Sequence, residues 1–490
     1  MTAFPHCRPY RAVAPFLLLA IAGCHLGPSY SKPSVEMPAN WRASPTSAAT
    51  AWPARDWWRG FDSPQLDALM EQARQHNFDL VAAAARIREA DAQVRVTGAP
   101  LLPTATANTG QSWQRSANRA RTVLPGYSVA QRYSETRTYD LNLGISWEID
   151  LWGKLRAQQD SAEAAALASR FDQHALALTT LATVATTWFT ALAYQDRLAV
   201  AQRNLQDAEQ TLGAVQGQFA AGTASLLDVS QQQALTAGVR AQVPALRSSL
   251  EQEANGLGIL VGRPPEAIPV PTGTLTSLRM PEVTPGLPSG LLERRPDVAE
   301  AEANLIAANA DIRAARAAFF PAISLTGQGG WESGMLTTLI GPGAVLAQVS
   351  SSLAQTIFDN GAKGGQYQYN KARYDELLAT YRKTVIQALT DVENALVAYR
   401  YATEQEKLGQ QAVETAQRAA DIARAQLLAG TSDLITALQA QNTLFTDLDN
   451  LAQIRLTRVT ALVDLYKALG GGWTQADVQT PPSTIYHGIL

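Results

Sequence analysis

The chain of 490 residues carries the same passage twice. Val94-Arg95 and Leu102-Pro103 return as Ile312-Arg313 and Phe320-Pro321, 218 residues later, and Asn77-Phe78-Asp79-Leu80 returns as Arg295-Pro296-Asp297-Val298 at the same spacing. Further on the spacing falls to 208: Gly153 pairs with Gly361, Gly222 with Gly430, Gln231 and Gln233 with Gln439 and Gln441, and Gly262 with Gly470. Each copy runs in one order, a helix, short strands, then very long helices, and neither reads as a self-contained globular domain. The change of spacing is local. Pro103 and Gly153 are 50 residues apart, Pro321 and Gly361 only 40, so the ten extra residues belong to the first strand pair. Loops absorb insertions and strands of fixed span do not, which places them in that pair's loop.

Charged residues make up 17% of the chain, hydrophobic residues 46%, and the net charge is −3. Basic residues are scattered, and nothing resembles the electrostatic footprint of a nucleic-acid-binding protein. At the start, Arg8 and Arg11 precede an apolar run from Ala12 to Gly23. That run is too short to span a bilayer and fits the core of a signal peptide, residues 1–23. It ends Ile21-Ala22-Gly23-Cys24, which resembles a bacterial lipobox, so Cys24 is the expected lipidation site and the only cysteine of the mature chain. His25, rather than Asp, follows it, as in lipoproteins sorted to the outer membrane. No other segment approaches the length of continuous apolar sequence that a transmembrane helix needs.

Residues 24–62 are rich in Pro, Ser, Ala and Trp and read as an extended, lipidated tether. Repeat 1 covers residues 63–270, with strands in about 104–152 and a helical hairpin in 154–262; repeat 2 covers 271–472, with strands in 322–358 and a hairpin in 363–470; a tail, 473–490, follows. Ser63-Pro64 is a helix start, with Ser at the N-cap and Pro at the first helical position. Tyr139, Leu141, Leu143, Ile145, Trp147, Ile149 and Leu151 alternate with mostly polar residues, the period of a strand with one apolar and one polar face. Its partner is expected over Thr104–Gln114, with Arg115–Tyr133 as a loop. In the second copy, strands are expected over Ile323–Trp331 and Val345–Ile357.

Lys154–Ala221 and Lys363–Ala429 contain no proline, and each could form a helix of about 100 Å. Gly222 and Gly430 stop them, as left-handed C-terminal caps do, and Pro244 should kink the first return helix. Charge at the flanks of these helices is too sparse for an exposed coiled coil, and Ala on several faces suggests a wall of helices with neighbours on two sides. Four amphipathic strands cannot stand alone in a bilayer, because open edges leave unpaired N–H and C=O groups, and four are too few to close. Several copies must therefore contribute strands, with the polar face to a lumen and the apolar face to lipid.

The lipobox with Gly27-Pro28-Ser29-Tyr30, the Trp57-Trp58-x-x-Phe61 segment, Glu293-Arg294-Arg295-Pro296-Asp297-Val298 and Ala317-Ala318-Phe319-Phe320-Pro321 resemble the outer-membrane factors of tripartite efflux pumps. The resemblance is to the lipoprotein (NodT-type) branch of the TolC-like family. It implies an α+β membrane channel: a homotrimer whose twelve strands, four per chain, form one β-barrel continuous with a long periplasmic α-barrel and an equatorial belt. It implies a periplasmic adaptor (membrane fusion) protein and an inner-membrane RND-type transporter as partners, an acyl anchor in the outer membrane, passive conduction and no cofactor. The alternative within the family is the outer-membrane channel of a type I protein export system.

The resemblance also implies a periplasmic gate where the helical hairpins turn, with Gly222 and Gly430 at the adaptor contact. Family members often carry an aspartate ring at the pore position occupied here by Gln439; Asp228 matches the acidic position of the first copy. Asp228, Ile435 and Gln439 are the expected constriction, against the plainer reading of Asp228 as an early-helix carboxylate favoured by the dipole. No nucleophile elbow, phosphate loop or metal-spaced His/Cys cluster points to an enzyme.

Overall fold

The computed structural model describes residues 29–43, 52–118, 132–281, 288–473 and 478. The signal sequence, Cys24 and most of the tail lie outside the described residues. The chain forms two compact units, one holding Glu89–Ala166 with Ala303–Leu378, the other Pro33–Arg88, Leu167–Glu302 and the chain from Ala379.

The first unit is built on one antiparallel sheet in the order β1 (Thr104–Asn118), β2 (Arg132–Ile149), β3 (Ala322–Ser333) and β4 (Val345–Ala354). β1 and β2 extend into both ends of the expected loop at Arg115–Tyr133: Arg115 pairs with Glu135, Ser116 with Ser134 and Ala117 with Tyr133. Apolar residues no longer mark one face there, but the backbone ladder continues, which hydropathy alternation does not report. β2 ends at Ile149, short of Leu151, and β4 ends at Ala354, short of Ile357, which is 90% exposed. Both strand-to-helix corners are capped by an aspartate. Asp150 accepts from the backbone N–H of Leu155 and Arg156 at 3.1 and 2.9 Å, and Asp359 accepts from Gly361 and Lys363 at 3.0 and 2.9 Å. The Phe319-Phe320-Pro321 motif belongs to such a corner: Trp152 stacks on Phe320 at 4.9 Å and donates its indole N–H to the Pro321 carbonyl at 2.7 Å.

Among the described residues there are seven α-helices: α1 (Pro64–His76), α2 (Phe78–Gly98), α3 (Lys154–Ala220), α4 (Leu226–Val261), α5 (Pro296–Ala317), α6 (Ala362–Leu428) and α7 (Leu434–Ala468). α3 and α6 each have 67 residues, so the repeat preserves helix length while the strand pairs differ. α4 runs through Pro244 without interruption. By length and composition α3 is apolar enough to cross a membrane, but its Val184, Ala185, Trp188, Phe189 and Leu192 are buried in the core of the second unit.

That core explains the tryptophan motif. Trp57, Trp58 and Phe61 pack with Leu66 and Met70 of α1, Trp188 and Phe189 of α3, Leu257 of α4 and Leu462 of α7. Trp57 stacks on Tyr466 at 4.9 Å, and Phe61 meets Phe189 at 4.9 Å. A second cluster joins Trp41 to Leu291, Val298, Tyr381, Val385 and Leu465, with Val35 and Met37 against it. This seats the expected tether along the protein, where Glu393 accepts from the Ala43 N–H at 2.8 Å.

The sequence repeat is also a repeat of contacts. Asn77 donates its side-chain amide to the Leu260 carbonyl at 2.9 Å; its counterpart Arg295 donates to the Ala468 carbonyl at 3.4 Å. Gly262 and Gly470 have φ of 68° and 85°, and each lies so close to the backbone carbonyl two residues ahead of a helix, His76 before α2 or Arg294 before α5, that no Cβ fits. The copies differ in charge: Asn77 caps α2, whereas Arg295 pairs with Asp297 at 2.6 Å and Asp391 at 3.0 Å.

Close to that ion network, burial raises the Glu300 carboxyl from 4.5 to about 7, and the carboxylates of Asp172 and Asp297 add to the shift. A group whose folded-state pKa is raised contributes stability in its protonated form, and that contribution is lost as pH rises from about 4.5 through about 7. Glu300→Gln should therefore remove part of the decline in thermal midpoint across this window. Melting curves at several pH values check it; an unchanged pH slope refutes the assignment.

Candidate channel wall and gate

In the sheet, alternation puts Tyr139, Leu141, Leu143, Ile145, Trp147 and Ile149 on one face of β2. Leu141, Leu143 and Ile145 are exposed, as are Leu325 and Trp331 on β3 and Val345, Val349 and Leu353 on β4. The register aligns them: Leu141 faces Trp331, Trp147 faces Leu325, and Trp331 faces Val345. An apolar face this large and open is abnormal for a surface that meets water. The opposite face carries Thr106 and Asn108 of β1, Asn142 and Ser146 of β2, Thr326 and Gln328 of β3, and Gln348 and Ser350 of β4, which line one shallow concavity. Its polar groups bond to each other, as in Thr326 with Ser350 at 2.7 Å and Asn142 with Asp140 at 2.9 Å. Among the described residues β1 and β4 each have a single strand neighbour, so the sheet presents two free edges there.

At the C-terminal ends of α3 and α6 the two turns are copies of each other. Gly222 and Gly430 adopt φ of 75° and 71°. The N–H of Thr223 reaches back to the Gln218 carbonyl and that of Thr431 to the Gln426 carbonyl, each at 2.9 Å, closing both helices in the manner of a Schellman motif. The hydroxyls of Thr223 and Thr431 bond to the same carbonyls at 3.0 and 3.2 Å. A Cβ on either glycine would meet nothing within 4 Å, so both turns are open surface.

The return helices start on equivalent caps with acid and hydroxyl exchanged. In the first copy Ser225 is the N-cap and Asp228 completes a capping box: its carboxylate accepts from the Ser225 N–H at 2.8 Å and the Ser225 hydroxyl at 2.7 Å. In the second copy Asp433 is the cap and accepts from the Thr436 N–H at 2.8 Å and its hydroxyl at 3.0 Å. Backbone hydrogen bonding holds both carboxyls below the usual carboxylate range, most directly from Ser225 onto Asp228 and from Thr436 onto Asp433. Asp228 thus has a helix-capping role whatever else it does. Asp433 was missed from the sequence, although it stands at the repeat spacing from the Ser225 cap.

Val215 of α3, Val229 of α4 and Leu434 of α7 are buried together, with Leu427 of α6 and Leu438 packed on them. This brings the two turns side by side. Ile435 is 53% exposed and Gln439, one turn later on α7, is also exposed. A further tie joins the hairpins: Arg424 of α6 donates to Gln210 at 2.8 Å and pairs with Asp207 at 3.5 Å, both on α3. Higher up, Arg197 binds Asp449 through two nitrogens at 2.6 and 3.1 Å, and Glu406 takes Arg455 and Arg458 at 3.2 and 2.6 Å. No spacing motif announces these pairs, because their partners lie far apart in sequence.

The family model for outer membrane efflux proteins matches residues 69–263 and 287–471, the two copies of the repeat. A pyoverdine export outer membrane protein, OpmQ of Pseudomonas putida, is 37% identical over 464 residues, 95% of this chain and 97% of its own length. The toluene efflux pump outer membrane protein TtgC of Pseudomonas putida is 34% identical over 96% of this chain and 98% of its own length. The solved outer-membrane channel OprN superposes with a TM-score of 0.84 at 29% identity, covering 92% of this chain and all of that one. Four antiparallel strands with long helices are thus the chain's share of a known channel architecture, not an enzyme's scaffold. The chain belongs to the outer membrane efflux protein family, the trimeric outer-membrane channels that serve efflux pump systems.

Proposed function

We propose that this chain forms a homotrimeric exit duct for small toxic or secreted molecules, fed by a periplasmic adaptor and an inner-membrane RND-type transporter and anchored through acylated Cys24. One observation carries the trimeric wall: a sheet with a polar face, an exposed apolar face and two free edges. Three such sheets supply twelve strands and leave no edge unpaired. Tyr139, Leu141, Leu143, Ile145, Trp147 and Ile149 then meet lipid. The polar face lines water with neutral Thr, Asn, Ser and Gln beside the carboxylates Asp140, Glu148 and Glu332, a passive lining, so substrate choice falls to the pump. The matched relatives named for pyoverdine and toluene make antibiotics, dyes, solvents and metal-chelating secreted products the cargo to test first. A deletion strain, complemented with wild-type and Cys24→Ala chains, should lose resistance to part of that panel and regain it in full only with the lipidated chain. Unchanged susceptibility to every compound refutes the efflux reading.

The hairpin turns form the gate in this reading, with Asp228, Ile435 and Gln439 near the constriction and the open turns at Gly222 and Gly430 meeting the adaptor. Arg424 holds the hairpins together through an exposed pair, worth about 0.2–1 kcal/mol. Arg424→Ala should raise open probability in planar bilayers by roughly two- to fivefold at low salt, with the difference from wild type shrinking at high salt. Identical gating of the two proteins at low salt would remove Arg424 from the gate.

A further inference from the structure

We propose that the outward face of the sheet, just beyond its apolar band, is a docking surface for the phosphorylated glycolipid headgroups of the outer leaflet, held by Arg115 and Arg137. The inference rests on the channel reading above.

The apolar residues Tyr139 to Ile149 span ten steps of β2, roughly 33 Å along the strand. At the usual barrel tilt this is about 25 Å of height, the thickness of the lipid-facing band of an outer-membrane barrel. Strand alternation keeps Arg137, Glu135 and Tyr133 on that same face, and the register sets Trp113 opposite Arg137 and Arg115 opposite Glu135. Arg137 therefore lies one outward step beyond the band, roughly 5 Å, and Arg115 about 10 Å. Cargo enters from the helical side, so the strand ends at Asn118 and Arg132 face outward, and this level is that of the outer-leaflet headgroups.

Both guanidinium groups are exposed, and Trp113 and Tyr133 beside them are 58% and 50% exposed. Aromatic rings in this position anchor a barrel at the interface. Arg115 is held for binding: its guanidinium sits 4.2 Å above the Tyr133 ring, and Glu135 at 3.7 Å is a distant, half-exposed partner that a phosphate dianion can displace. The planar guanidinium presents paired donors that match phosphate oxygens. The neighbours at this level on the lumen side, Gln114, Ser116, Ser134 and Thr136, are uncharged, so at this level the positive charge lies on the lipid side. At the opposite end of the band that face carries Ile149, Ile323 and Leu353 and no cation. This asymmetry fits a membrane whose outer leaflet alone carries densely phosphorylated headgroups.

The test uses the full-length trimer in vesicles of phosphatidylethanolamine containing diphosphoryl lipid A, with dephosphorylated lipid A and phosphatidylglycerol as separate arms. Lipid A retained per chain after extraction is read by mass spectrometry, and conductance is recorded on the same samples. Arg115→Gln with Arg137→Gln should lower retention about tenfold or more, while the paired lysine substitutions keep part of it. Conductance should not change, because neither residue faces the lumen. Equal retention by wild type and the glutamine pair, or equal binding of dephosphorylated lipid A, overturns the proposal. Inorganic phosphate displacing lipid A from vesicles at equal phosphate concentration also overturns it, by marking a soluble-anion site. Loss of conductance in the wild type would instead sink the channel reading, so the two failures are distinguishable.

Discussion

Leu143→Arg should abolish insertion of the channel into the outer membrane. Leu143 is 52% exposed and, with Ile145, flanks the middle of the apolar stretch between Tyr139 and Ile149. An arginine at the bilayer midplane of a β-barrel costs about 2–4 kcal/mol, and a trimer carries three copies of the change. In water the same substitution would cost little, since Leu143 is half exposed and belongs to neither of the buried clusters described above. Ser146→Arg supplies the contrast. Ser146 faces the polar side, between Thr104 and Thr326, where a charge enters an aqueous lumen. It should insert normally and alter only ion selectivity. Heat-modifiable mobility and membrane fractionation separate the outcomes: Leu143→Arg leaves the outer-membrane fraction, Ser146→Arg remains. Normal insertion of both would mean that this face does not meet lipid.

Gly470→Ala, and its repeat counterpart Gly262→Ala, should be among the most damaging of the smallest possible substitutions outside the sheet. Both positions have positive φ, which costs an alanine about 1–2 kcal/mol. Each methyl would also run into a backbone carbonyl, that of Arg294 or His76, which cannot rotate away as a side chain can. Overpacking of this kind adds about 1–3 kcal/mol. Gly222→Ala and Gly430→Ala share the positive φ but meet nothing within 4 Å, so they should show the backbone cost alone. Chemical denaturation of the four variants checks the ranking. A Gly470→Ala protein no less stable than Gly430→Ala contradicts the collision.

These glycines show what was legible in the sequence. Their spacing announced a repeat and their residue type announced helix ends, because only a left-handed backbone needs glycine there. The reason for Gly262 and Gly470 in particular, a carbonyl pressed against each, depends on a partner nearly two hundred residues away and left no local trace. The apolar face was legible where alternation was strict, over Tyr139–Ile149. It was lost where Arg115, Glu135 and Arg137 replace apolar residues on the same face, so the strands read as loop although the ladder continues. At the gate, the turn glycines and Asp228 were found by position in the repeat. The exchange of acid and hydroxyl between Ser225–Asp228 and Asp433–Thr436 became visible only with hydrogen bonds in place, and it assigns Asp228 a capping duty alongside any part in gating. Ion pairs such as Arg424–Asp207 join residues on different helices and carry no sequence signature at all.

If copies of this chain close their sheets into one water-filled pore, single-channel recording of the purified, full-length protein in a planar lipid bilayer will show it. Discrete current steps are expected, from particles whose mass in solution is that of three chains, with step size altered by Ser146→Arg and no steps from Leu143→Arg. Trimeric protein that incorporates into the bilayer yet passes no current, at any voltage and with Arg424 replaced, would contradict such a pore.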